Sequence, residues 1–123
     1  MMNEIRIDGL ISPEALDLED VDSIEIDGFQ NEEFQNEQIE TYVKEMKGKK
    51  RIKTLTLTSC KLKNLEVLQY FPNLEELFIR SDSISSFQGL RHFKKGKFLL
   101  VNTEKNRKRS LEELTYQMWL ILK

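Results

Sequence analysis

The sequence carries one cysteine, Cys60, and one histidine, His92, in 123 residues. A lone thiol forms no disulfide within its own chain, and one thiol plus one imidazole fall short of the ligand sets that hold zinc. His92 stands between Leu90 and Phe93 beside Arg91, a setting that reads as a surface imidazole rather than a base. The acid pairs Glu32/Glu33, Glu75/Glu76 and Glu112/Glu113 are adjacent in sequence. On a helix or a strand such neighbours point in different directions, so they do not form the facing carboxylates of a glycosidase or a metal site. Five scattered glycines build no phosphate-cradling loop. These residues predict a protein that is not an enzyme, needs no metal or cofactor, and works through its surface.

Composition agrees with a folded surface of that kind. Leu, Ile, Val and Phe supply 38 of the residues, enough to bury a core in a single domain spanning 1–123. No apolar run reaches the ~20 residues of a membrane span, and the opening MMNEIRIDGL lacks the features of a secretory or transit peptide, so a soluble cytoplasmic protein is expected. The net charge of −2 conceals a segregation. Residues 1–46 carry fourteen acids against Arg6 and Lys44, for −12, and residues 47–123 carry seventeen bases against seven acids, for +10. Such an asymmetry steers an oppositely charged partner over about a Debye length, ~8 Å at physiological salt. The two halves can also neutralise each other across a fold interface.

The elements that would position this surface are set by an internal repeat. Sliding the chain by 22 residues aligns Ile52, Leu55, Leu57, Leu62, Leu65, Leu68 and Phe71 with Leu74, Leu77, Ile79, Ile84, Phe87, Leu90 and Phe93. Leu77 and Ile79 carry forward onto Leu99 and Val101, and IRIDGL at 5–10 matches IEIDGF at 24–29 with an offset of 19. Five strands are therefore predicted, centred on Arg6, Glu25, Thr56, Phe78 and Leu100. In Leu55-Thr56-Leu57 and Leu77-Phe78-Ile79 the apolar residues alternate, so each strand buries one face, and stacked parallel strands ~4.8 Å apart line those faces into one core. The stretches between strands return as turns or short helices, with Pro72 closing one of them.

IKTLTLTSCKLKNLEVLQYFPNLEELFI resembles the leucine-rich repeat family, unit L-x-x-L-x-L-x-x-N/C-x-L, in its short class of roughly 22 residues. The resemblance is clearest over 52–101. It implies an α/β solenoid with a parallel sheet on the concave face and helices or turns on the convex face. It also implies that Cys60 holds the position of the buried Asn or Cys that hydrogen-bonds the turn after the strand, with Asp82 there in the next unit. Residues 1–51 depart from the pattern as irregular N-terminal repeats, with Leu10 and Phe29 at that position and units of 19 and 31 residues. Within the longer unit, Ile39, Val43 and Met46 recur at helical spacing, Phe34 extends the stripe, and a helix is expected over 36–47 with Gly48 as its stop. Residues 110–123 begin with Ser110 and Glu113 spaced as a capping box and turn apolar after Leu114, which predicts a C-terminal capping helix.

The alternation then sorts the outward residues. Glu4, Arg6 and Asp8 are expected on the first strand, Ser23, Glu25 and Asp27 on the second, Thr54, Thr56 and Thr58 on the third, Glu76, Phe78 and Arg80 on the fourth, and Phe98, Leu100 and Asn102 on the fifth. The face runs from acidic through neutral to aromatic, and Phe78, Phe98 and Leu100 form an apolar patch there unless the helix carrying Tyr116 and Trp119 folds over it. The expected role is a protein-binding module that neutralises a basic partner. Small acidic bacterial immunity proteins directed against basic nuclease toxins share this profile of size and charge. Binding residues on that reading are Glu4, Asp8, Glu25, Asp27, Thr56, Thr58, Glu76, Phe78, Arg80, Phe98 and Leu100. The alternatives are nucleic-acid binding through KGKKRIK at 47–53, KKGK at 94–97 and NRKR at 106–109, and a scaffold role. No membrane or small-molecule substrate is expected as a partner.

Overall fold

Alternation at period two becomes five strands, β1 (Glu4–Ile7), β2 (Ser23–Asp27), β3 (Thr54–Thr58), β4 (Glu76–Arg80) and β5 (Phe98–Val101). They are seen in a computed structural model of the chain that describes residues 3–81 and 83–101. All neighbouring strands pair in parallel, and their order in the sheet is their order in the chain. The register reproduces the sequence repeat: Ile5, Ile24, Leu55, Leu77 and Leu99 form one row, and Ile7, Ile26, Leu57, Ile79 and Val101 another. These rows face the core, where Ile24, Ile26, Leu55, Leu57, Leu77 and Ile79 are fully buried. The protein is thus α/β, with a five-stranded parallel sheet.

Each strand enters the sheet by the same device. The carbonyl of the residue immediately before each of β1 to β4 accepts from two amides at the entrance of the next strand. Asn3 O accepts from the amides of Asp22 and Ser23, both at 3.2 Å. Asp22 O accepts from Lys53 and Thr54 at 2.8 and 3.1 Å, Lys53 O from Glu75 and Glu76 at 2.8 and 2.9 Å, and Glu75 O from Lys97 and Phe98 at 2.7 and 3.1 Å. One carbonyl thus fixes two consecutive amides of the following strand. A slip of one residue would break these pairs and turn every apolar side chain to the wrong face.

Between strands the chain returns through one α-helix, α1 (Glu37–Glu45), and four 3-10 turns at Pro13–Ala15, Lys49–Arg51, Glu66–Tyr70 and Leu90–His92, counted among the described residues. The aligned residues Leu65, Leu68 and Phe71 and their counterparts Phe87, Leu90 and Phe93 are all buried beneath these returns. The two returns also pair with each other, with Leu62 bridging Ile84 in parallel and the Leu65 amide donating to Gln88 O at 2.7 Å.

The helix is shorter than the predicted 36–47. It stops at Glu45, Met46 is extended, and Gly48 takes φ +82° to open the next 3-10 turn. Met46 leaves the helix yet stays buried with Ile39 and Val43, so the apolar spacing outlasts the helical backbone. Tyr42 joins that buried stripe, packing its ring edge-on to Phe34 at 5.2 Å between centroids. The capping helix expected over 110–123 lies outside the described residues, as do Asp82 and Asn102.

The stacked rows give a direct measure of the fold. Leu77→Ala removes a fully buried side chain from the middle of the sheet and is expected to cost about 2–5 kcal/mol through lost transfer energy and an unfilled cavity. Gln69→Ala, on an exposed part of a return, should stay within about 0.5 kcal/mol. Urea unfolding of the two variants checks the contrast.

Candidate functional site

The sheet face opposite the core presents the second set of rows. Arg6, Glu25, Thr56, Phe78 and Leu100 are in register across the five strands, and Glu4, Ser23, Thr54, Glu76 and Phe98 lie two residues earlier. The predicted order from carboxylates through threonines to aromatic and aliphatic side chains is therefore laid out across this sheet face, but Ser23 and Thr54, expected to point outward into solvent, are buried in it beneath their neighbouring carboxylates' hydrogen bonds. Its carboxylates are tied to hydroxyls on neighbouring strands. Ser23 Oγ donates to Glu4 at 3.2 Å, Thr58 Oγ1 to Glu25 at 3.0 Å, and Thr54 Oγ1 to Glu76 at 2.9 Å. Such cross-strand pairs stiffen the face and leave part of each carboxylate open. Thr56 is half-buried and Arg80 is exposed. At the far end the Phe78 and Phe98 rings lie 5.5 Å apart, with Phe98 and Leu100 47% and 40% exposed.

Two members of the expected acidic quartet differ from their assignment. Asp27 is buried, ion-paired with Arg6, and accepts the Phe29 amide at 2.8 Å, so it holds the end of β2 and is not available to a partner. The cause is position: Asp27 is the last residue of β2, where the chain turns, and its carboxylate is needed by the turn amide and the neighbouring guanidinium. Asp8 lies one residue past β1, half-exposed, and accepts the Leu10 amide at 3.0 Å. Glu4 and Glu25 remain on the face.

The two chemically distinctive side chains have structural partners. Cys60 is fully buried, its thiol 3.2 Å from Ile26 O and 3.4 Å from Thr58 O, and burial pushes it up to about 12. His92 Nε2 sits 2.8 Å from Glu66, which Arg91 also grips at 3.0 Å. The hydrogen bond from His92, followed by those from Arg91, holds the Glu66 carboxyl below the usual carboxylate range. Stability from this cluster is present at neutral pH and is lost as the pH falls through the lowered value. Among the described residues no group of three or more His, Cys, Asp or Glu is placed to hold a metal ion, and no helix is long and apolar enough to cross a membrane.

Basic residues gather on the other edge, where chains enter the strands. Asn73 Nδ2 donates to Lys50 O at 2.8 Å, and Lys95 Nζ donates to Asn73 Oδ1 at 2.7 Å. This chain of contacts brings the 47–53 and 94–97 clusters, distant in sequence, to adjacent corners. Lys53 and Lys97 are drawn onto Glu75 at 3.5 and 3.0 Å, and Lys49 lies over the Tyr70 ring at 5.1 Å. The 106–109 cluster lies outside the described residues. Sequence reasoning missed the exposure of Leu10, Ile11 and Phe29 on the turns after β1 and β2. The signal was the repeated Asp-Gly-apolar triplet, whose aspartate caps the turn and sends the third residue outward.

Asp27→Ala strands the Phe29 amide and Arg6, and is expected to cost about 1–3 kcal/mol, whereas Asp8→Ala at the more open turn should cost less than half as much. Chemical denaturation separates the two. The Cys60 thiol should resist a thiol-specific chromogenic reagent at pH 8 in the folded protein and react fully once the protein is unfolded in urea. Compared with known proteins, the chain matches no family model, no curated protein and no solved structure.

Proposed function

We propose that the chain is a short leucine-rich-repeat-like solenoid that binds another protein without catalysis, acting as a stoichiometric inhibitor or immunity-type protein toward a basic partner. The observation that carries this reading is the graded face: carboxylates on β1 and β2, hydroxyls on β3, and an exposed aromatic and aliphatic corner on β4 and β5. Carboxylates steer and orient a basic protein, while Phe78, Phe98 and Leu100 supply the apolar area that gives a contact its lifetime. Glu14, Asp17, Glu19, Asp20, Glu32 and Glu33 are also exposed in the acidic half, so its field reaches solvent.

A second reading, nucleic-acid binding, draws on the exposed Lys50, Arg51, Lys94 and Lys95 that Asn73 links at one edge. Clustered cations of this kind contact phosphates, and the acidic half repels the same backbone. The protein reading is favoured because Glu4, Glu25 and Glu76 share a face with the exposed apolar corner, and a phosphate backbone laid over that corner would meet their like charge.

Affinity capture of the tagged chain from its own cell lysate, with nuclease treatment and at low and high salt, tests the choice. Retention of a basic protein after nuclease treatment in one-to-one ratio is expected, and retention of nucleic acid in its place overturns the reading. With the captured protein in hand, charge reversal at Glu4, Asp8 and Glu25, leaving the buried Asp27 untouched, should slow association more than dissociation, by an amount that shrinks as salt rises.

A further inference from the structure

We infer that the turns following β1 and β2 form a docking edge for a basic amphipathic segment of a partner protein, with Leu10, Ile11 and Phe29 as its apolar anchors. The inference rests on the protein-binding reading and deepens it by naming the chemistry of one segment of the partner and placing that segment's contact at the sheet's end, next to the open face. Leu10 and Phe29 are each 71% exposed and Ile11 58%, and with Phe98 and Leu100 they are the large apolar side chains exposed among the described residues. A single exposed leucine is ordinary on any protein surface. Three on adjacent turns, presented by one repeated construction, call for a reason.

That construction is rigid. Asp8 accepts the Leu10 amide at 3.0 Å, and Asp27 accepts the Phe29 amide at 2.8 Å, so each aspartate folds its own turn around the glycine between. Both glycines are required. Gly9 has φ +83°, with the Phe34 ring 2.5 Å from where a Cβ would stand, and a Cβ at Gly28 would lie 2.6 Å from Ser59 O. Asn31 Nδ2 reaches across to Asp8 O at 3.1 Å and ties the two turns together, while the Tyr42 hydroxyl donates to Ile11 O. Leu10 and Phe29 lie three residues past the registered pair Ile7 and Ile26, so they project from equivalent places on neighbouring turns. Anchors held this way lose little conformational freedom when they are covered.

The surroundings decide the occupant. Between Arg6 and Lys44 the sequence has twelve acids and no lysine or arginine. Glu14, Glu32 and Glu33 are exposed in these same loops. Burial first, and then the charges of Asp8 and Glu14, hold the Tyr42 hydroxyl above its ordinary value, in keeping with an edge rich in carboxylates. Next to it, Pro13, Glu37, Gln38, Thr41, Tyr42 and Glu45 line an open cleft of about 390 Å³, with room for a lysine or arginine side chain. A second copy of this chain fits poorly. Its own acidic edge repels this one, and its exposed Phe98 and Leu100 lie in register with Glu76 and Phe78, on a face that carries carboxylates of its own. Apolar anchors ringed by carboxylates match a helix or strand that alternates lysine or arginine with leucine-like residues.

The test uses a synthetic amphipathic peptide of about 18 residues made of leucine and lysine, a lysine/serine peptide of equal charge, and the ¹⁵N-labelled full chain. The leucine/lysine peptide is expected to shift the amides of residues 8–12 and 28–31, and Leu10→Ser with Phe29→Ser should weaken it roughly tenfold, as loss of central anchors does. These side chains are exposed, so the double variant should keep its unfolding midpoint. Phe98→Ser with Leu100→Ser, on the face assigned to the rest of the partner, should change the affinity of this short peptide less than twofold. Equal binding of the lysine/serine peptide, shifts centred on residues 78, 98 and 100, or no binding at all overturns the docking edge. So does sedimentation showing a dimer that Phe29→Ser abolishes. Failure of the wider protein-binding reading would show separately, as nucleic acid in place of protein in the capture experiment.

Discussion

Everything in this molecule depends on the doubled hydrogen bond at each strand entrance, where one carbonyl holds two successive amides of the next strand. Parallel strands lack a tight hairpin to set their register, so alignment has to come from elsewhere. Here it is set at the strand entrance and then maintained by rows of aliphatic side chains. Once Asn3, Asp22, Lys53 and Glu75 have taken their amide pairs, the isoleucine and leucine rows have only one way to stack. Everything with the opposite parity is delivered to the other face.

That parity also governs the electrostatics. Carboxylates of the open face meet hydroxyls on the adjacent strand, as in Thr54 with Glu76 and Thr58 with Glu25, so charge is held in place without being cancelled. At the ends of β1 and β2 the same residue type does different work. Asp27 is buried against Arg6 and a turn amide, while Asp8 caps its turn half in water. Carboxylates from one sequence repeat thus divide into those that build the surface and those a partner can meet.

The strands were legible because burial on one side of a sheet writes a period of two into the sequence, and stacking writes the same residues again 22 positions later. Leu55 over Leu77 and Leu57 over Ile79 follow from that alone. Less legible was anything decided where strands end. Nothing in the spacing of Asp27 distinguishes a strand residue facing solvent from one that a guanidinium from β1 covers, since Arg6 is 21 residues away in sequence. Tyr42 was overlooked for a similar reason: its ring belongs to the core, but its hydroxyl is satisfied by the Ile11 carbonyl from a distant loop. Leu10 and Phe29 stood at the repeat position where Cys60 is buried, and their exposure comes from the aspartate-capped turn rather than from their own hydrophobicity.

The unequal spacing of the strands has a further consequence. Successive strands start 19, 31, 22 and 22 residues apart, yet all four pairs meet in the same way. The extra length between β2 and β3 is taken up by α1 and the 3-10 turn after it, without disturbing either row of the core. Sheet and connection are therefore separate modules. Length can be gained or lost in a connection at the modest entropic cost of loop closure, while a single residue added inside a strand would invert its two faces. A chain built this way can diversify one side of itself by insertion and deletion and still inherit an unchanged scaffold on the other.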